Sequence, residues 1–308
     1  VNGGTFTINQ PETLTAASGV QVGDGAGNDG SIQVLGTLDG NLTINQGSSA
    51  DLSGEVTGTT TNLGTLDVSS DTDFGADFTT SSTVNVAAGA TLSAGVVANT
   101  GGTINLLGAG STLQGTANTL DNAGALNVAD GGVVADAGAI NNLAAGTITF
   151  DGAGTLDANS DDNTVPGAIT NDGAIVLSGT AGAVGVLGSD ALTNQGTGTI
   201  DIQSGALTGI GTLASTSTGD LDGGAPGAQS IRVASGATLG FTALNASAGG
   251  IVSAGTLGGD VTLTGNAGFD LDGGEVTGTL DNQSSTAITV AGTLGAFTQD
   301  TAAGTTFD

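Results

Sequence analysis

The sequence predicts an all-β chain, a single-domain parallel β-solenoid of about 14 coils. Three observations carry that prediction: a short apolar-x-apolar strand recurs along the chain, glycines recur in register with it, and the side chains are small with few aromatics. The strand appears as Leu66/Val68, Val84/Val86, Ile104/Leu106, Leu126/Val128, Ile148/Phe150, Ile175/Leu177, Ile200/Ile202 and Ile231/Val233, with first members 18 to 31 residues apart. Such spacing fits one coil plus loop insertions. Alternation at period 2 turns one set of side chains inward and the other into water.

The rest of the coil aligns on this anchor. Downstream, a second strand opens with Gly in Gly89-Ala-Thr-Leu92, Gly110-Ser-Thr-Leu113, Gly131-Gly-Val-Val134, Gly205-Ala-Leu207 and Gly236-Ala-Thr-Leu239. Glycine supplies the positive-φ corner between strands. A third segment then ends in Asn-x-Gly, at Asn62, Asn122, Asn171 and Asn194, with looser versions at Asn99, Asn142 and Asn282. The Asn column (Asn62, Asn122, Asn142, Asn171, Asn194, Asn282) reads as a ladder of amides or as a polar ligand row. Its recurrence beside both short and long loops favours the ladder. Helical periodicity is absent, because β-branched residues and Gly interrupt nearly every window.

Residues 1–308 form one domain, with irregular entry coils over 1–29, regular repeats over 30–240 and less regular coils over 241–308. Stacking about 14 coils at about 4.8 Å gives a rod about 70 Å long. Gly is 58 of 308 residues, a level often met in disordered chains, but only 10% of residues are charged and the mean hydropathy is +0.22. That combination opposes disorder. Two insertions, over 159–166 and 215–227, leave the repeat as surface loops, and their Asp161, Asp162, Asn163, Asp220 and Asp222 are candidate binding residues. They read equally as plain solvated excursions.

Charge and composition remove most function classes. Arg232 is the one base against 29 acids, for a net charge of −28, which argues against nucleic acid and anionic lipid as partners. Zero Cys, zero His and zero Lys exclude thiolate, imidazole and Schiff-base chemistry and most zinc sites. Calcium is the one cofactor the composition leaves open. Gly25-Ala-Gly27-Asn28-Asp29 imitates one copy of a calcium-binding nonapeptide repeat, and the acid pair Asp71/Asp73 could ligate weakly. Against this, one copy cannot build a shared site, and both features read as ordinary turns. A carboxylate hydrolase is the enzyme alternative, but Trp and Tyr are zero and no nucleophile motif occurs. The chain is therefore expected not to be an enzyme. No apolar run is long enough to insert in a membrane, and Val1 opens directly in repeat-like sequence, as expected of a processed product or a segment.

The unit Asn-x-Gly-x-apolar-x-apolar followed by Gly-Ala-Thr-Leu, as in Asn62-Leu-Gly-Thr-Leu-Asp-Val68 and Gly236-Ala-Thr-Leu239, resembles passenger domains of Gram-negative autotransporter adhesins. It resembles filamentous-haemagglutinin-like exoproteins less closely. The resemblance covers residues 30–295. It implies a right-handed solenoid, displayed outside the cell, that acts in adhesion, self-association or biofilm formation. The partners it implies are like chains or a cell-surface or matrix component. The alternative is a structural polymer, a matrix fibre or surface-layer subunit assembled by end stacking or calcium bridging. Abundant Asp without Lys also fits a saline habitat.

Overall fold

The computed structural model describes residues 1–116, 119–136, 138–158, 167–179, 182–186, 190–221, 229–299 and 305–307. Its strands wind into one β-solenoid of about 13 turns, and no helix occurs among the described residues. The count falls short of 14 because middle turns carry insertions: Ile148 aligns with Ile175, Ile175 with Ile200 and Ile200 with Ile231. Every strand pairing is parallel, so each turn is a rung on the one before it.

Each turn lays one strand on each of three faces. The first face carries the recurring anchor: Leu66, Val84, Ile104, Leu126 and Ile148 stand in one column, each in register with the next. All are buried, because the alternation points them into the narrow core. The second face begins at the glycine corners. Gly89, Gly110, Gly131, Gly205 and Gly236 all have φ between 74° and 79°, a left-handed conformation that costs other residues about 1–2 kcal/mol. The glycine of Asn-x-Gly has a different cause. At Gly64, Gly124 and Gly173 a Cβ would collide with backbone oxygens of the turn below. The third face ends on the Asn column, with Asn99, Asn122, Asn142, Asn171 and Asn194 in register.

Aliphatic side chains fill the core, and the few buried phenylalanines close wide places: Phe74 and Phe78 stack at 5.0 Å across one corner. The two ends of the chain obey the same plan. Over 1–29 the strands Thr5–Ile8, Thr13–Thr15 and Val20–Val22 take the three faces in turn and pair with the following coil. Towards the C-terminus the strands run through corners, in Ala206–Ser215, Thr238–Ala246, Thr256–Leu263, Gly268–Asn282 and Ile288–Gln299. There the corner is a register shift inside a continuous strand, as between Gly240 and Ala243, with left-handed glycines such as Gly209, Gly259 and Gly273 at the shifts.

Candidate functional site

The chemistry is read from the polar columns inside and outside the solenoid. Inside, the Asn column is a continuous amide ladder. Asn99 Nδ2 donates to Asn122 Oδ1 at 2.8 Å, Asn122 to Asn142 at 2.9 Å, Asn142 to Asn171 at 2.8 Å and Asn171 to Asn194 at 2.8 Å. The same Nδ2 groups also donate to first-face carbonyls of the next turn, as Asn122 does to Thr147 and Asn142 to Ala174. Asn62 enters the column through Thr80, donating to its Oγ1 at 3.1 Å. Thr80 and Asn99 thus complete a column whose clearest members in sequence are the Asn-x-Gly sites.

The ladder stops at Asn194, whose Nδ2 is buried without a partner next to the equally unpaired Ser215 Oγ. Beyond it serine takes over the corner. Ser217 Oγ donates to Gly198 O and Ser284 Oγ to Ala267 O, each at 2.6 Å. Asn282 lies on the same face but outside the ladder: its Oδ1 accepts from Ser284 N at 3.0 Å and its Nδ2 is unpaired. These amides are buried, and apart from the unpaired Nδ2 groups of Asn194 and Asn282 they are spent on one another, on hydroxyls and on backbone, as a structural column requires.

The acids read as calcium ligands lie in two places. Asp29 sits on an exposed turn organised by Asp24, which accepts from the backbone N–H groups of Ala26 and Asn28 and from the Asn28 side chain. Those bonds, the Asn28 amide first, hold the Asp24 carboxyl below the usual aspartate value. Asp71 and Asp73 open a second-face strand some turns away, where Asp71 Oδ1 accepts from Thr91 N at 2.9 Å and Asp73 Oδ1 from Ser93 Oγ at 3.0 Å. They share with Glu55 an open groove of about 610 Å³ that Gln10 and Pro11 overhang. Glu55 has no sequence signal, because its turn is short and its strand is two residues long. Among the described residues no three acidic side chains converge as metal ligands.

Of the loop candidates, Asp220 is exposed, while Asp161, Asp162, Asn163 and Asp222 lie outside the described residues. What holds the first loop is visible at its stems. Asp190, fully buried, accepts from Ala158 N at 2.8 Å and from Gly167 N, tying the two ends of the insertion together. Arg232 projects outward, as alternation requires, and grips the buried Asp201 with Nε–Oδ1 at 2.8 Å and Nη2–Oδ2 at 2.6 Å. The chain matches no protein-family model, no curated protein and no solved structure.

Proposed function

We propose that the chain is a non-enzymatic segment of an extracellular surface rod, displayed by a Gram-negative cell, that mediates adhesion or self-association. The observation that carries this reading is the pairing of a rigid interior with a long repeating exterior. Internal amide ladders and continuous rungs fix the frame, and the outer columns repeat hydroxyl, amide and carboxylate groups turn after turn. Such a surface suits many weak contacts in series, which multivalent display converts into firm attachment. Asp71 and Asp73, in the groove of about 610 Å³, accept hydrogen bonds from the next turn, an arrangement suited to structure rather than to proton transfer.

The test is a bead assay with electron microscopy of the same preparation. Beads coated with folded chain are expected to clump or to bind cells or matrix, beads coated with heat-unfolded chain are not, and the free chain should appear as discrete rods. Glycan turnover lost on Asp71→Asn with Asp73→Asn would overturn the non-enzymatic reading. Ordered filaments of the pure chain that dissolve with chelator would make it a structural polymer instead.

A further inference from the structure

The acids are unevenly placed. Seven lie between Asp39 and Asp77, and none between Phe78 and Leu120. On the first face the gap is wider still. Five successive rungs, from Thr83–Val86 through Thr103–Leu106, Ala125–Val128 and Thr147–Phe150 to Ala174–Leu177, carry no charged residue at all. The rung before them carries Asp67, and the rung after them carries Asp201, already neutralised by Arg232. This stretch is a flat neutral panel about 19 Å long and about 13 Å wide on a strongly anionic rod.

The panel has relief along one border. Leu107, at the corner after its second rung, is 56% exposed. One side of it forms the wall of a groove of about 420 Å³ that Asn105, Asn127, Ala129 and Thr149 also line, with Asp151 its one charged lining residue. A knob and a hole side by side on one patch are self-complementary under a two-fold axis, which places each knob in the other copy's hole. The floor is stiff, because Asn127 Nδ2 donates to Asn105 Oδ1 and Asn105 Nδ2 to Asn85 Oδ1, both at 2.9 Å.

We infer that this neutral panel is a self-association surface, on which a second copy of the chain docks antiparallel with Leu107 of each copy in the other's groove. The knob and groove on one patch select a second copy as partner, and electrostatics selects the place. Two rods of charge −28 repel wherever their acids face one another, and the neutral panel is where the repulsion is least. Its size is well under the ~800 Å² per partner of a stable interface, so the pair is weak and reversible in solution and gains strength only when many rods are displayed together. The inference rests on the self-association part of the proposed function and names its surface.

The experiment is sedimentation equilibrium of the full chain over a concentration series, at about 10 mM and about 500 mM salt, where the Debye length falls from ~30 Å to a few ångströms. The expected result is a monomer–dimer equilibrium that tightens with salt. Leu107→Asp should weaken it at least tenfold, whereas Leu63→Asp, at a 41% exposed leucine on a different corner, should leave it unchanged. Circular dichroism and urea midpoints equal to those of the parent chain establish that both variants are folded. A parent chain that stays monomeric at high salt overturns the inference, and adhesion to other surfaces then survives if the coated beads still bind cells or matrix. A parent chain that dimerises while Leu107→Asp dimerises equally well overturns the panel but leaves self-association standing.

Discussion

Replacing Asn122 by Ala removes one step from the middle of the amide ladder. Three hydrogen bonds go: the one Asn122 accepts from Asn99, and the two its Nδ2 donates, to Asn142 Oδ1 and Thr147 O. Two of them are fully buried and the third, to Thr147 O, is partly so; each is worth about 1 kcal/mol net and any partner left unsatisfied adds a further penalty, so the loss is about 3–4 kcal/mol. Asn282→Ala is the matched control, since that amide is equally buried but makes one side-chain bond, from Ser284 N, and already carries an unpaired Nδ2. Its loss is about 0–1 kcal/mol. Urea unfolding followed by far-UV circular dichroism reads the difference as a lowered midpoint, provided the slope is unchanged. Because a solenoid can unzip from one end, amide exchange in Ala125–Val128 and Thr147–Phe150 should also accelerate in Asn122→Ala. Equal destabilisation by the two substitutions would refute the ladder as a source of stability and leave burial alone as the cause.

Three further outcomes follow from the polar contacts. Arg232→Ala removes the charged partner of buried Asp201 and leaves it the hydrogen bond from the neutral Gln203 Nε2, and because the arginine is itself 40% exposed the cost is about 2 kcal/mol, read as a lower thermal midpoint; Arg232→Met combined with Asp201→Leu should recover most of it. Asp190→Ala unpairs two backbone N–H groups at the stems of the 159–166 insertion, and hydrogen exchange at Ala158 and Gly167 should rise at least tenfold while the ladder amides stay protected. The whole chain should become more heat-stable as salt is raised from about 10 mM, because screening relieves repulsion among its 29 acids while Arg232 is the one basic side chain whose pairing it could weaken; a melting temperature that falls with salt would contradict this.

Much of the frame was legible because its causes are local. An apolar-x-apolar strand buries two residues wherever it occurs, and a glycine with φ near 75° announces a corner, so the anchors from Leu66 to Ile231 align as their spacing predicts. The amides at Asn62, Asn122, Asn142, Asn171 and Asn194 were visible for the same reason. What was not legible depends on contacts between turns of variable length. Asp190 meets Ala158 across 32 residues and Arg232 meets Asp201 across 31, and no fixed spacing marks either pair. Thr80 fills a ladder position with a hydroxyl, and Ser217 and Ser284 cap corners by reaching carbonyls of the preceding turn, with no motif of their own. The coils after residue 240 read as irregular because their strands run on through the corners with register shifts, which places glycines such as Gly259 and Gly273 inside strands rather than between them.

The scarcity of bases raises the question of what partners so many acids find, and the outer columns answer it. Asp39 accepts from Thr57, Asp67 from Asn85, Asp73 from Ser93, Asp121 from Asn141, Asp172 from Gln195 and Asp281 from Thr298, in every case a donor one turn further along the chain. Asp71, Asp130 and Asp260 take a backbone N–H from the following turn in the same way. A carboxylate hydrogen-bonded to a neutral donor keeps its charge, makes a bond stronger than a neutral pair, and places a neutral group rather than another acid beside it in the column. Acids therefore staple successive turns without needing lysine or arginine, and the rod can stay highly charged along its outside while its rungs remain locked. Two acids abut in the column only at Asp51 beside Asp67 among the described first-face rungs, and even there Asp51 accepts from Ser69, one turn on, so negative charge concentrates at that end of the face while the rungs beyond Asp67 carry none.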